Sequence, residues 1–522
     1  MTDPYYVTTT IPYVNARPHL GFALEIVQAD VLARHHRRLG RSVRLSTGTD
    51  DNSLKNVLAA EGAGVPTQQF VDQNAAAFEA LWQPLDLSVD DFIRTSRDQR
   101  HRAGVNRFWR ACAGAGDLYR KHYQGLYCVG CEHFYPPEEL AGDRCPEHGT
   151  VPEPVAEKNW FFRLSRYQEQ LYDLISRDQL RIEPRARRNE VLAFIAGGLA
   201  DFSISRSWSR ARGWGIPVPD DSDQVIYVWW DALGNYITSL GYGEAGPDYR
   251  RWWLENDRRV HLVGKGVLRF HAVYWPAMLL SAGEPLPTDI IVHDYLTVDG
   301  RKISKSAGNA VDPVELAERF GTDAVRWWLL RDVPRIGDAD FTIDRLIARS
   351  NEDLANGLGN LVHRVVTMIH RFRNGAVPAR STAATADSAG TSAAAPIGLA
   401  GGAASDAALV AACRQARGLV QTALDQYDFR RAVAAVWRIV DEANRFVELV
   451  RPWHLAKAER EGQSDAGRQL EATLTTLLEA CRTLAAELAP FLPGTSARII
   501  EQCQDIDGHL PLPRPIISRI EP

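Results

Sequence analysis

The chain has 522 residues, 45% of them hydrophobic and 24% charged, with a formal net charge of -5 at pH 7. At that length about two to four domains are expected, and the mild acidity excludes a wholesale polycation, so any nucleic acid must be gripped by local basic patches. No apolar run approaches the roughly 20 residues that span a bilayer, and the opening MTDPYYVTTT lacks a basic-then-apolar leader, so a cytoplasmic location is expected.

In chain order, YYVTTTI (5–11) is a β-branched and aromatic run that predicts a buried parallel strand. Pro18 suits a first helical position. Leu20, Leu24, Val27 and Val31 follow at helical spacing, and Arg34, His35, His36, Arg37 and Arg38 load the last turn before Gly40. RSVRLST (41–47) predicts the next strand, ending at Gly48, Thr49, Asp50 and Asp51. Strand, helix, strand implies a right-handed parallel unit whose working edge is the carboxyl end of its strands. His19, in the first turn of the helix, and Asp50, after the second strand, belong to that edge, and such a helix start suits a phosphate. Arg94, Arg97, Arg100, Arg102, Arg107 and Arg110 form a candidate nucleic-acid patch, with a solvated helix face as the equal alternative.

Seven cysteines follow two patterns. Cys112, Cys413, Cys481 and Cys503 are scattered and fit small buried hydrophobes. Cys128, Cys131, Cys145 and His148 form two paired sets, the tetrahedral pattern of a structural zinc knuckle, while a disulfide does not suit a cytosolic chain. Four protein ligands leave no open position, so this zinc would shape the chain and activate no water.

Further on, IIVHDYLTVDGRKISKSAGNAVDP (290–313) predicts a strand, a turn at Asp299 and Gly300, and a loop from Lys302 to Ser306. Its two lysines and two hydroxyls suit a polyphosphate held by a mobile segment. The last third reads as helical. Asn356, Asn360 and Arg364 recur every four residues as a polar stripe opposite Leu354, Leu358, Leu361 and Val365. Residues 376–407, rich in Ala, Ser, Thr and Gly, read as a flexible loop between bundle helices.

Together, the helix start at His19 and the KISKS loop resemble the two signature motifs of class I aminoacyl-tRNA synthetases, and Pro12-Tyr13-Val14-Asn15 looks like the methionyl-tRNA synthetase version. TGTD (47–50), GLYCVGC (125–131), VWWDALGNY (228–236), VGKGVLRFHAVYWPAML (263–279), KISKS with GNAVDP, and GLGNL (357–361) stand in that family's order, so the resemblance covers nearly the whole chain. It implies an α/β fold: a Rossmann-type doubly wound parallel sheet interrupted by a zinc-bearing connective insertion, then an all-α bundle. The expected division is 1–116 and 226–295 for the two halves of the sheet domain, 117–225 for the insertion with its knuckle at 128–148, 296–350 for the KISKS loop and stem-contact region, and 351–522 for a helical anticodon-binding domain.

The activity implied is methionine activation by ATP, accompanied by Mg2+, followed by transfer to the terminal ribose of tRNA(Met), initiator tRNA included. By the same resemblance His19, Lys302 and Lys305 are catalytic, and His19, Gly21, Phe22, Gly264 and Lys305 border ATP. Asp50 would hold the amino group, and Ile11, Tyr13, Trp229, Ala232, Leu233, Tyr236, Val267, His271 and Trp275 would line the side-chain slot, with the Tyr13 hydroxyl and His271 as polar partners for sulfur. Trp229, Ala232 and Tyr236, and separately Val267, His271 and Trp275, fall at one-turn spacings. Asn356, Asn360, Arg364 and Trp453 would read the anticodon, with the Trp plane stacking an unpaired base. A monomer is expected, since the chain stops soon after the bundle. Three stretches depart from the family pattern: Phe22 replaces a second His, Asp50-Asp51-Asn52-Ser53 replaces an Asp-Glu-His-Gly type of run, and Gly266 replaces a frequent acid. Asn52 is a candidate compensating donor. The alternative reading is a catalytically weakened paralogue that binds methionine or tRNA.

Overall fold

The computed structural model of the chain describes residues 3–130, 133–135, 137–147, 149–303, 310–378 and 406–521. Cys131, His148, Lys305 and positions 379–405 of the expected flexible loop lie outside the described residues. The chain divides into two compact units, one made of Met1–Gln83, Leu87–Tyr295 and Ile303–Asp312, the other of Pro84–Asp86, Leu296–Lys302 and Pro313–Pro522.

The first unit is built on six strands: β1 (Pro4–Thr8), β2 (Ser42–Thr49), β3 (Asp91–Arg94), β4 (Arg181–Glu183), β5 (Arg259–Gly264) and β6 (Asp289–His293). They stand in the order β3-β2-β1-β5-β6-β4, every neighbouring pair parallel. Tyr5, Tyr6 and Val7 of β1 and Val260, Leu262 and Val263 of β5 are buried, as a parallel sheet covered on both faces requires. Connectivity leaves β1 toward β2 on one side, and β5 stands on the other, so the crevice at their carboxyl ends is the switch point where ligands bind in open α/β sheets.

Helix α1 (Leu20–Arg38) follows β1, with Leu20, Leu24, Val27 and Val31 buried and a basic last turn. Its start differs from expectation. His19 is the extended N-cap (φ -129°, ψ 170°), so the helix begins after it and Pro18 lies outside, because the imidazole satisfies a backbone N–H that Pro18 would leave open. Strand β1 also ends earlier than read, at Thr8. The chain then leaves the sheet and rejoins it at a single parallel bridge between Tyr13 and Asp50.

Within 117–225 an antiparallel sheet is made of His133–Tyr135, Leu118–Cys128, Glu153–Phe162 and Phe202–Ser203. The same span also supplies β4, the edge strand of the core sheet. Four arginines of the patch are engaged within the protein: Arg94 and Arg97 hold Asp72, Arg100 holds Asp91 and Asp98, and Arg107 donates to the Tyr242 carbonyl. The acids among these arginines offset part of the positive charge of this face.

The second unit is mainly helical. Leu296–Val298 and Arg301–Lys302 form a two-residue hairpin through Asp299 (φ 52°) and Gly300 (φ 68°), the left-handed pair that a tight hairpin needs. Asp340 fastens it by accepting from Gly300 N–H at 2.9 Å and the Thr297 hydroxyl at 2.7 Å. Buried Arg326 donates to the carbonyls of Leu85, Pro490 and Phe491, tying remote segments together. Ser350–Gly359 winds as a π-helix that runs straight into the α-helix Asn360–Arg373. Among the described residues no helix is long and apolar enough to cross a membrane.

Candidate active site

At the carboxyl edge of β1, His19 Nδ1 accepts from Gly21 N–H at 3.1 Å, folding the imidazole over the first turn of α1. A Cβ at position 21 would meet that ring at 2.9 Å, which is why glycine belongs there. Leu20 N–H donates to the Val311 carbonyl at 2.9 Å, tying the helix start to the segment that follows the KISKS loop. Phe22, expected to border ATP, is half-buried in this arrangement. Its ring meets Phe78 edge-on at 5.2 Å and packs with Val14, Val71 and Ala75 in a small apolar cluster.

Asp50 lies just past β2 and is 2% exposed. Its backbone is fixed on both sides: Asp50 N–H donates to the Pro12 carbonyl at 2.9 Å, and the Asn56 amide donates to the carbonyls of Asp50 and Asp51. Through the Tyr13 bridge this carboxylate sits beside an aromatic wall. The Tyr13 ring meets Trp229 at 6.3 Å, Trp229 stacks on Phe270 at 3.8 Å, and the Lys55 ammonium lies 5.5 Å from the Tyr13 centroid. Ala232, Leu233 and Tyr236 share the helix Val228–Thr238 with Trp229 and are buried, while Ile11 is half-buried.

Val267, His271 and Trp275 do not share one α-helix. A 3-10 turn (Lys265–Val267), a π turn (Phe270–Tyr274) and then an α-helix (Trp275–Ala282) carry them. The irregular turn turns His271 inward. Its Nδ1 donates to the Val267 carbonyl at 2.8 Å, and since a neutral imidazole has one N–H, Nε2 accepts from the Tyr236 hydroxyl at 2.7 Å. Burial lowers the His271 pKa to about 4, so the ring is neutral near pH 7. Burial likewise raises the Tyr236 phenol well above its usual value. The pair is therefore a fixed, uncharged polar spot in an apolar wall that includes fully buried Trp275.

The sign of its pH dependence follows. Above the ordinary value of 6.5 neither folded nor unfolded chain protonates this group, whereas between 6.5 and about 4 only the unfolded chain does. Stability is expected to fall as pH drops through that window, by about 1.4 kcal/mol per unit for each such histidine. His36, lowered by burial to about 3, adds to the slope. Melting temperatures of wild type and His271→Gln across pH 4 to 6.5 check this, the variant showing the shallower slope.

Three groups here escaped the sequence reading. Glu25, buried in α1, accepts from Thr10 N–H and hydroxyl at 2.6 Å and pairs with His293 at 2.8 Å. Burial opposes a charge on His293, but the Glu25 hydrogen bond and charge outweigh it and raise its pKa. Gly264, at the end of β5, borders this imidazole, where an added Cβ would lie 3.4 Å away. Asp231, inside the quoted VWWDALGNY, is fully buried and bonded to His101 at 3.0 Å. A charged residue in the first turn of an otherwise apolar helix was the available signal.

In the second unit Asn356 and Asn360 are exposed and Arg364 is half-buried, donating to Asn444 at 2.8 Å and to Glu448 at 3.0 Å. Trp453, 40% exposed, projects from the start of the helix Pro452–Arg460. In the antiparallel sheet region Cys128 and Cys145 are both 1% exposed and flank Thr150: Cys128 Sγ lies 3.8 Å from its hydroxyl, and Cys145 N–H donates to its carbonyl at 2.9 Å. Two buried thiols at one tight turn suit a closed zinc site. Among the described residues, which omit Cys131 and His148, no group of three or more metal-ligating side chains forms.

The family profile described as tRNA synthetases class I (M) matches residues 5–151 and 137–366. The methionine–tRNA ligase of Thermotoga maritima is 38% identical over 95% of this chain and 75% of its own length, and that of a Nostoc species is 40% identical over 95% and 89%. The chain belongs to the methionyl-tRNA synthetase family. A solved Mycobacterium tuberculosis methionyl-tRNA synthetase in complex with methionyl-adenylate superposes with a TM-score of 0.90 at 36% identity, covering 99% of this chain and all of that one.

Within the methionyl-tRNA synthetase family two departures now have physical causes. Phe22 is held by its apolar cluster, and Gly266 by its neighbour: a Cβ there would fall 2.1 Å from the Tyr295 hydroxyl, so with Tyr295 in place no side chain fits. Lys265 Nζ lies 4.4 Å from the Tyr295 centroid. Asn52 is not a spare donor, contrary to expectation, because its amide donates to the Asp231 carboxylate at 2.8 Å and faces the Thr95 carbonyl at 3.4 Å.

Proposed function

We infer that this chain is a methionine–tRNA ligase, activating L-methionine with ATP and transferring the methionyl group to tRNA(Met). The observation that carries the reading is buried Asp50 at the sheet's switch point, bridged to Tyr13 at the head of the aromatic wall. A carboxylate suits the substrate ammonium, and the wall suits a thioether.

In this reading the α-amino group lies on Asp50. Ile11, Tyr13, Trp229, Ala232, Leu233, Tyr236, Val267, His271 and Trp275 surround the side chain, and the Tyr236–His271 pair keeps the ring neutral and fixed. A hydrophobic slot alone separates side chains one methylene apart by about 1–3 kcal/mol, so rejection of leucine rests on this shape and on the polar spot. The methionine carboxylate attacks the α-phosphorus of ATP in line, pyrophosphate leaves, and the terminal ribose hydroxyl of tRNA then attacks the activated carbonyl. His19, Lys302 and Lys305 stabilise the charge that builds on the phosphates, with Gly21 and Gly264 allowing close approach. Mg2+ bound with ATP neutralises phosphate charge.

Asn356, Asn360, Arg364 and Trp453 are proposed to read the anticodon. Trp453 supplies an exposed plane, and Arg364 is held in place by Asn444 and Glu448. Zinc is proposed to sit on Cys128, Cys131, Cys145 and His148 as a structural ion. Metal analysis is expected to find a single zinc per chain, lost in Cys128→Ser together with a lower melting temperature. The enzyme is proposed to act in the cytoplasm as a monomer, and sedimentation checks the oligomeric state.

The deciding experiment is methionine-dependent exchange of labelled pyrophosphate into ATP, with leucine and cysteine as controls. Exchange with methionine alone is expected in the wild type. The apolar setting of Phe22 keeps a second reading in view, a binding paralogue without adenylate formation, and exchange absent in wild type but present in Phe22→His would establish it.

A further inference from the structure

Asp231 is the hub of a buried relay. Its Oδ2 accepts from Asn52 Nδ2 at 2.8 Å and its Oδ1 from His101 Nε2 at 3.0 Å, while His101 Nδ1 pairs with the Thr238 hydroxyl at 2.8 Å. Asp231, His101 and Thr238 are all fully buried. A carboxylate only accepts, so His101 must carry its hydrogen on Nε2. Asp231 and Thr238 stand at opposite ends of the helix Val228–Thr238, the one that carries Trp229 and Tyr236. The other end of the relay reaches the amino-group side. Asn52 backbone N–H lies 3.3 Å from Asp50 Oδ1, and its amide also approaches the Thr95 carbonyl at 3.4 Å.

We propose that Asn52 is a positioning residue for methionine, its backbone holding the Asp50 carboxylate and its side chain holding, through Asp231, the helix that forms the substrate's side-chain wall. The inference rests on the reading of Asp50 as the ammonium site. Methionine is gripped at two points on separate elements, and the distance between them must hold to about 0.5 Å for both to be used together. One residue bonded to both elements sets that distance. ATP, placed at the start of α1, does not depend on it.

The test is pyrophosphate exchange in Asn52→Ala and Asn52→His, measured against methionine and ATP separately. Asn52→Ala leaves a charged acceptor without its donor, so the KM for methionine is expected to rise about tenfold or more while the KM for ATP stays within about twofold. Asn52→His restores an N–H donor and is expected to recover methionine KM to within about threefold of wild type. An unchanged methionine KM in Asn52→Ala, a parallel rise in both KM values, or a His variant as impaired as Ala overturns the proposal. If Asn52→Ala does not fold, Asp231→Asn, which keeps the shape and one acceptor oxygen, must show the same split between the two substrates. Asp50→Ala separates the two readings. Loss of methionine activation there with a silent Asn52→Ala sinks this inference alone, and an indifferent Asp50→Ala sinks both.

Discussion

Replacing Asp50 by Ala is expected to lower kcat/KM for methionine in pyrophosphate exchange by about 10²–10⁴, the loss incurred when one partner of a buried charge pair is removed at about 3–5 kcal/mol. The position makes the loss local. Asp50 is 2% exposed, and its main chain is held by the Pro12 carbonyl and the Asn56 amide in addition to the carboxylate's own bond to Asn52 N–H, so these two backbone anchors survive the truncation. The KM for ATP should change little, since the phosphates are expected at the start of α1. Asp50→Asn keeps the shape and removes the charge. An Asn variant within about threefold of wild type in methionine KM would show that the ammonium is not paired here.

His19→Ala is expected to slow exchange by about 10²–10³, the effect of losing one preorganised donor to a developing charge. It also removes the N-cap of α1 and so costs about 1 kcal/mol of stability, which would blur the result if Ala were the sole variant. Asn caps helices well but offers no imidazole. His19→Asn should therefore regain the melting temperature while exchange stays low. Recovery of both together would reduce His19 to a helix cap.

A good part of this protein was legible before any coordinates. The strand at Tyr5 to Val7, the periodicity of Leu20, Leu24, Val27 and Val31, the basic last turn and the Asp299-Gly300 hairpin are local consequences of residue type, and each appears in the structure. Motif order identified the family, because spacing along a chain survives in sequence. Boundaries fared less well. His19 turned out to be the cap and not a first-turn residue, since a side chain that accepts from Gly21 N–H can end the preceding extended segment itself. The pairing of Arg94 and Arg97 with Asp72, on the helix Thr67–Glu79, also waited for the fold, whereas the Arg100–Asp98 pair is local in sequence.

What the tertiary structure alone decided concerns pairs far apart in the chain. Asn52 meets Asp231 across 179 positions, Glu25 meets His293 across 268, and Gly266 yields its space to Tyr295. None of these leaves a periodic or spacing signal, because side chains that satisfy one another in a low-dielectric interior are brought together by the packing of whole elements. Sequence determined which chemical groups stand at the carboxyl edge of the sheet. Burial decided that His271 is neutral, its bonds to the Val267 carbonyl and the Tyr236 hydroxyl decided its tautomer, and packing against Phe78 and Tyr295 decided the surroundings of Phe22 and Gly266.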